Sequence, residues 1–522
     1  MEPMIADARE LLKRLVAVML HFDARSEKEK QELLLHLSAI EPEPKELIRC
    51  HHVLLFLSAY PQSAAQYALV QSELNRMGVL AQAIYNGTSA RRRNQLTNSG
   101  IRGTALHVCF SFDLVKWLEE KYPRNVSIFS CDADAETIKS VFLSGLHRLE
   151  ADRFREDSFT LPQLIRRLRP KSGDSDLHWL LQFIDHIPVT HDVRSHLYDS
   201  LKLFITVTLG DHVPSLSTAR SLPRRLFFHK SALKKQLAPA AVLEQKQISA
   251  YKLSPPQKEQ IIETARMTLC SLLRETDPVT HANVNEVELF DMGRGIDIAL
   301  YPMIHEKKLS LESYIGYVAF KNRVPIAYGG GWIFLYRSRI GVNIFPSLRG
   351  GESSYLFLQI LRIYRIHYRV KKFLVEPYQI GKNNAEGLRS GAYWFYYRMG
   401  FRSVQKELAE LAEKEFGRLS IDKKYRPPLS VMKKLAGVNM ELDLFPGTDY
   451  ADEPPENISE LTTQYINTHH GGKRTDAVLA ELANLKKGKS EREAILNLQR
   501  NSKWLKQVKE HLASPSAHVK GK

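Results

Sequence analysis

Residues 342–361 read VNIFPSLRGGESSYLFLQIL. An extended run ends at Pro346, which cannot donate to a strand ladder. The loop Arg349-Gly350-Gly351-Glu352-Ser353-Ser354 follows. From Tyr355 to Tyr368 the apolar positions Leu356, Leu358, Ile360, Leu361, Ile363, Tyr364 and Ile366 predict a buried helix. A loop of small residues that opens a helix at the end of a strand outlines an anion site. Its N–H groups point at the ligand, and the helix dipole favours negative charge there.

Working outward, the flanking runs complete a sheet. Ser313 to Phe320 is rich in β-branched and aromatic residues and predicts a strand. Pro325 to Tyr336 predicts the next; its Gly329-Gly330-Gly331 predicts a bulge or a close backbone approach, leaving room for a substrate or only bending the strand. Arg339 to Phe345 is the third. After the helix, Lys372 to Tyr378 is a short strand feeding a loop. A single helix is expected from about Asn384 to Met399, with Gly391 in its middle, and Val438 to Phe445 alternates like a last strand.

In this order the chain resembles the GCN5-related N-acetyltransferase (GNAT) superfamily over roughly residues 285 to 445. Ile344-Phe345-Pro346-Ser347-Leu348-Arg349-Gly350 is similar to the family's strand ending in a pyrophosphate loop. Phe373-Leu374-Val375-Glu376 with Asn383-Asn384-Ala385 resembles the next strand and helix start. Tyr396-Tyr397-Arg398-Met399-Gly400-Phe401 resembles its tyrosine, three residues, then Gly-Phe. The resemblance implies transfer of an acyl group to an amine from acetyl-coenzyme A or another acyl-coenzyme A. It implies a coenzyme site at Ile344, Phe345, Arg349, Gly350, Gly351, Ser353, Ser354 and Asn384. It also implies that Tyr396 protonates the leaving thiolate, with Tyr397 as second choice. Glu352 stands where the family loop has its second glycine, and Ser354 where it has its last small residue. A carboxylate beside a pyrophosphate is unfavourable unless it points away.

Attack of an amine on a thioester also needs a base. Glu376, at a strand end, suits that role if burial raises its pKa; otherwise it is a solvated or salt-bridged glutamate. Most of the rings in Tyr393-Trp394-Phe395-Tyr396-Tyr397 must be core packing. Asn383 and Asn384 also suit helix capping. Arg349 either binds phosphate or covers surface with its stem.

The remaining composition sets limits. The 522 residues suit two or three domains, and 43% are hydrophobic, enough for real cores. The fold class expected is α+β: a mainly helical accessory domain at 1–212, a basic connecting region at 213–256, a GNAT-like mixed-sheet domain at 257–445, and a charged linker with a helical tail at 446–522. In the helical part, Ala6 to Phe22, Gln31 to Leu37 behind a capping box at Ser26, Glu46 to Tyr60 and Ser63 to Met77 are the expected helices.

No run is apolar enough to span a membrane. Scattered cysteines suit a cytoplasmic protein with no metal site. The net charge of +16 lies entirely beyond residue 150. It gathers at Arg166 to Lys171, at Arg220, Arg224, Arg225, Lys230, Lys234 and Lys235, and at Arg362, Arg365, Arg369, Lys371 and Lys372. Such clusters suit nucleic acid, coenzyme phosphates or a solvated face. An RNA-binding or aminoacyl-tRNA-dependent transferase, or a catalytically silent scaffold, is therefore the alternative to a coenzyme-dependent enzyme. The acceptor amine and the oligomeric state are not legible in the sequence.

Overall fold

The computed structural model describes residues 7–152, 154, 158–170, 173–235, 237–309, 312–422, 424–446, 455–474 and 488–500. The chain is α+β and forms two compact units. One holds residues 1–222, 228–231 and 263–276; the other holds 223–227, 232–262 and 277–522. The helix Pro255–Ser271 supplies residues to both.

The first unit begins with five helices, Ala8–Val18, Ala24–Ser38, Pro44–Ala59, Ala64–Asn86 and Ala90–Leu96. Side-chain caps fix several of their starts. Asp23 accepts the Ser26 N–H at 2.8 Å, so the second helix begins earlier than the expected capping box, with Ser26 inside its first turn. Beyond the helices, β1 (Ala105–Val108), β2 (Val126–Cys131) and β3 (Leu203–Thr208) form an antiparallel sheet in the order β1-β3-β2. The central strand reads LFITVT and buries Leu203, Ile205 and Val207 on one face. These pack with Leu106, Leu118, Leu180 and Ile184 into one core.

The second unit is built on β4 (Ser249–Ala250), β5 (Glu288–Asp291), β6 (Ile296–Tyr301), β7 (Ser313–Lys321), β8 (Val324–Phe334), β9 (Arg337–Ile340), β10 (Asn343–Ile344), β11 (Lys372–Val375), β12 (Arg402–Ser403) and β13 (Met440–Asp443). The sheet order is β12-β13-β11-β9-β8-β7-β6-β5-β4, with β10 paired to β8. Every pairing is antiparallel except that of β11 with β9. The buried helix Ser353–His367 connects those two parallel strands.

Several expectations are corrected here. The bulge in β8 falls at Ile326, not at the glycines. A Cβ on Gly329, Gly330 or Gly331 would lie 2.5, 2.4 or 2.3 Å from the nearest side-chain atom of Tyr317, Tyr314 or Tyr364, respectively. A Cβ on Gly329 would also lie 2.5 Å from the Gly341 carbonyl oxygen, so the expected close approach is present, to three tyrosine rings and to backbone, and the bulge lies elsewhere. The helix expected over Asn384 to Met399 is two, Ala385–Ser390 and Ala392–Arg398, broken where Gly391 takes φ +72°. Part of the charged linker expected after residue 445 is a helix, Pro455–His470, with Ile466 buried. Of the expected helical tail, 475–487 and 501–522 lie outside the described residues, and Glu491–Arg500 is a helix.

Candidate active site

The site grows from the one parallel pairing of the sheet. β9 and β11 run side by side from Arg337 with Lys372 to Arg339 with Leu374. Beyond that they part. The first strand breaks at Gly341 and Val342 and resumes as β10, bonded only to β8. The second ends at Val375, and Pro377 opens a short helix, Pro377–Ile380. Tyr317 Oη donates to the Gly341 carbonyl at 2.5 Å and holds the break on the β8 side. A Cβ on Gly341 would stand 2.8 Å from the Gln379 side chain, so the glycine admits Gln379 beside the gap.

A cavity of about 330 Å³ fills this opening. Val342, Asn343 and Ile344 form its strand wall; Arg349 and Ser353 stand at the loop that precedes the long helix and at its start. Gln379, Asn384 and Ser390 form the opposite wall, with Phe395 and Tyr396 beside them. Gly350 takes φ +87°, a conformation glycine adopts without strain. Ser353 is the first residue of the long helix, so the free N–H groups of its first turn lie at the cavity.

Glu352 turns away from this opening. It is 1% exposed; its Oε1 accepts from Arg294 Nη2 at 2.5 Å and from the Lys234 N–H at 3.1 Å. Its Oε2 lies 2.9 Å from Lys321 Nζ, itself fully buried at the end of β7. Burial alone would raise the carboxyl pKa, but Lys321, the Lys234 N–H and Arg294 overcome it and hold Glu352 at about 2. Burial lowers Lys321 to about 8 against the pull of Glu352. The residue that breaks the glycine pattern is thus half of a buried ion pair behind the loop.

A pH dependence follows. Glu352 ordinarily titrates at 4.5 and here at about 2. Between those values the unfolded chain binds the proton and the native chain does not. Its contribution is therefore present above about pH 4.5 and is lost as pH falls through about 2. Urea denaturation at stepped pH is expected to show this slope, smaller by about one proton in Glu352→Gln. An equal slope in both proteins would exclude the pair as its source.

The expected site residues separate cleanly. Tyr396 is 2% exposed and lines the cavity, its ring edge-on to Phe357 at 5.4 Å. Burial pushes its hydroxyl pKa well up, opposed by a hydrogen bond with the Val342 backbone. Tyr397 points elsewhere. It packs 4.7 Å from Phe416 and under the Arg402 guanidinium at 3.9 Å, and it is not among the residues that line the cavity. Glu376 is half-exposed and paired with Arg339 at 2.9 Å, a salt-bridged glutamate at the strand end.

Asn384 caps its helix, accepting from the Gly387 N–H at 3.0 Å while lining the cavity. Arg349 reaches Glu386 at 2.6 Å, both exposed, beside the loop. Phe345 turns inward to Tyr328, while Gly351 and Ser354 continue the backbone of the loop and helix start. Val342, Asn343, Gln379, Ser390 and Phe395 are wall residues that sequence reasoning missed. Only the strand break at Gly341 could have signalled them.

Part of each basic cluster is committed to structure, while Arg225, Lys230, Lys235 and Arg369 are exposed. Arg362 donates to Gln359, Gln245 and the Gln247 carbonyl, and Arg365 to the Leu243 carbonyl. Lys371 sits over Tyr336, and Lys372 lies near Glu441 and Asp443. Arg224 pairs with Asp297 at 3.3 Å over the Tyr251 ring. Arg220 donates to the Leu216 and Ala219 carbonyls. In the first cluster Arg167 covers Phe159 and Arg169 pairs with Asp176, while Arg166 is exposed and Lys171 lies outside the described residues.

All four cysteines are unpaired. Among the described residues no group of three or more His, Cys, Asp or Glu could hold a metal ion, and no helix is long and apolar enough to cross a membrane. The chain matches no family model, no curated protein and no solved structure.

Proposed function

We propose that the second unit is a GNAT-like acyltransferase domain that moves an acyl group from a coenzyme A thioester to an amine. One observation carries the reading: the gap between two parting parallel strands joins a loop at a helix start to a buried tyrosine hydroxyl. A pantetheine arm is an extended chain of amides and methylenes. It fits a cleft with the Val342–Ile344 backbone on one side and Gln379 on the other. The pyrophosphate would then meet the N–H groups at Ser353 and the Arg349 guanidinium, where negative charge is favoured.

In this reading the amine nitrogen attacks the thioester carbonyl, the C–N bond forms and the C–S bond breaks. Tyr396 gives its proton to the departing sulfur and regains one from solvent. A tyrosine whose pKa is pushed up by burial keeps its proton at neutral pH, as an acid must. The proton released by the amine leaves through water.

Calorimetric titration with acetyl-coenzyme A and a longer acyl-coenzyme A tests this, with Ser353→Glu as control. Glutamate is welcome in the first turn of a helix, so the fold should stay intact. One extra charge about 4 Å from a phosphate costs roughly 4 kcal/mol near a protein surface. Micromolar binding by the native chain, weakened at least tenfold in Ser353→Glu, is expected. No binding of either thioester by the native chain overturns the reading; carrier-protein and aminoacyl-RNA donors would then be tested.

A further inference from the structure

A second cavity, of about 110 Å³, lies in the same unit and has no part in the site described above. Its floor is aromatic. Tyr314 and Trp332 stand opposite each other on β7 and β8, with rings 3.9 Å apart and 6° from parallel. Gly330 makes this stack fit, since a Cβ there would be 2.4 Å from the Tyr314 ring. The neighbouring Gly331 faces Tyr364 of the buried helix, so by strand alternation the aromatic pair stands on the other face of the sheet.

The rim carries both charges and is tied to the first cavity. Asp277, Glu312 and Glu491 line the pocket, with Lys307 and Lys308 beside them. Lys308 is held between Glu286 at 3.2 Å and Glu491 at 3.1 Å. Glu312 takes Arg339 at 3.2 Å, and Arg339 reaches across to Glu376 at 2.9 Å. Glu376 opens the short helix that carries Gln379, a wall of the first cavity. A carboxylate–guanidinium–carboxylate bridge thus runs from one pocket to the edge of the other. Asp277 is exposed, and its charge acts on the platform: burial and then Asp277 push the Tyr314 phenol up to about 12.

The C-terminal helix Glu491–Arg500 completes the pocket. The Glu491 carboxylate accepts from the Ser313 hydroxyl, and its N–H donates to Glu286 at 2.6 Å. At the other end Gln499 Nε2 donates to the Leu335 and Tyr368 carbonyls, each at 2.7 Å. The helix is anchored at both ends, so Glu491 is a fixed part of the wall.

We propose that this second cavity receives the cationic end of the acceptor, an alkylammonium group, held over the Tyr314–Trp332 platform by Asp277. The proposal rests on the acyl-transfer reading for the word acceptor; the binding itself does not. Ammonium groups are attracted to tryptophan faces and to carboxylates. A pocket of this size takes a short amine stem, not a nucleotide or a folded peptide.

The test is calorimetric titration of the full chain with 1,5-diaminopentane and with 5-aminopentanoate, in native protein, Asp277→Asn and Trp332→Leu. Acetyl-coenzyme A is titrated into the same preparations. The diamine is expected to bind better than the amino acid, and about tenfold more weakly in each variant, with coenzyme affinity unchanged. Equal binding of the two probes, no diamine binding, or diamine affinity untouched by both substitutions overturns the proposal. A chain that binds the diamine in this pattern but no thioester keeps the cavity as an amine site and sinks only the acyl-transfer reading.

Discussion

Replacing Tyr396 with phenylalanine is expected to lower acyl transfer by roughly 10²–10⁴-fold, the usual loss when a positioned general acid is removed. Coenzyme affinity should hardly move. The ring itself is packed against Phe357 and Phe401, and phenylalanine keeps both contacts. Only the hydroxyl and its hydrogen bond with the Val342 backbone disappear, worth about 1 kcal/mol of stability. The defect should not recover with pH in the neutral range, because burial keeps the native hydroxyl protonated there. Tyr397→Phe is the matched control. Its ring packs at a tilt against Phe416 away from the cavity, so transfer should be unchanged. Release of free coenzyme from acetyl-coenzyme A with an alkylamine acceptor measures both. Equal rates for native protein and Tyr396→Phe would remove Tyr396 from the chemistry.

The contrast between these adjacent tyrosines shows how far the sequence carried. Spacing to Gly400 and Phe401 put Tyr396 first, and the helix phase confirms only that two neighbours cannot face the same way. Nothing local said which face held the cavity; Gly391 did, by breaking the helix and resetting the phase of Ala392–Arg398. Strands β7, β8 and β11 and the helix Ser353–His367 were legible because β-branched runs and a continuous apolar face each have one favourable burial. Strand β3 was equally legible in the alternation of LFITVT, yet no reading was made of it. Strands β5 and β6 also went unread, although β6 is buried along its whole length.

A close approach at the glycine triplet is legible in the sequence, but the groups that make it are not. What fills the space above Gly329, Gly330 and Gly331 comes from Tyr317, Tyr314 and Tyr364, and only the register of β7 and the docking of the helix bring those rings there. The same is true of Glu352. Its partners Lys321 and Arg294 are 31 and 58 residues away, so its direction could not be read from the loop. The departure from the glycine pattern is a position where long-range electrostatics, not local backbone need, selects the side chain.

That long-range pair yields the other large effect. Lys321→Met is expected to destabilise the sheet unit by about 3–5 kcal/mol, the usual cost of stranding one partner of a buried ion pair. This is a large share of the roughly 5–15 kcal/mol that holds a domain folded. Lys321 Nζ bonds both Glu352 at 2.9 Å and the Arg294 carbonyl at 2.6 Å, so methionine removes two contacts and leaves a buried carboxylate short of one cation. Arg294 remains, at 2.5 Å, and offsets part of the loss. The urea midpoint should fall with little change in slope. Adding Glu352→Leu should restore much of the stability, because removing both charges also removes the desolvation cost that their pairing offset. Coenzyme affinity should follow the same pattern. In Lys321→Met, Glu352 gains by turning toward solvent, and solvent is where the phosphates would bind. The single variant should therefore bind acyl-coenzyme A more weakly than native, and the double variant should regain affinity. Single and double variants with equal affinities would show that the pair stabilises the fold without keeping the loop clear for an anion.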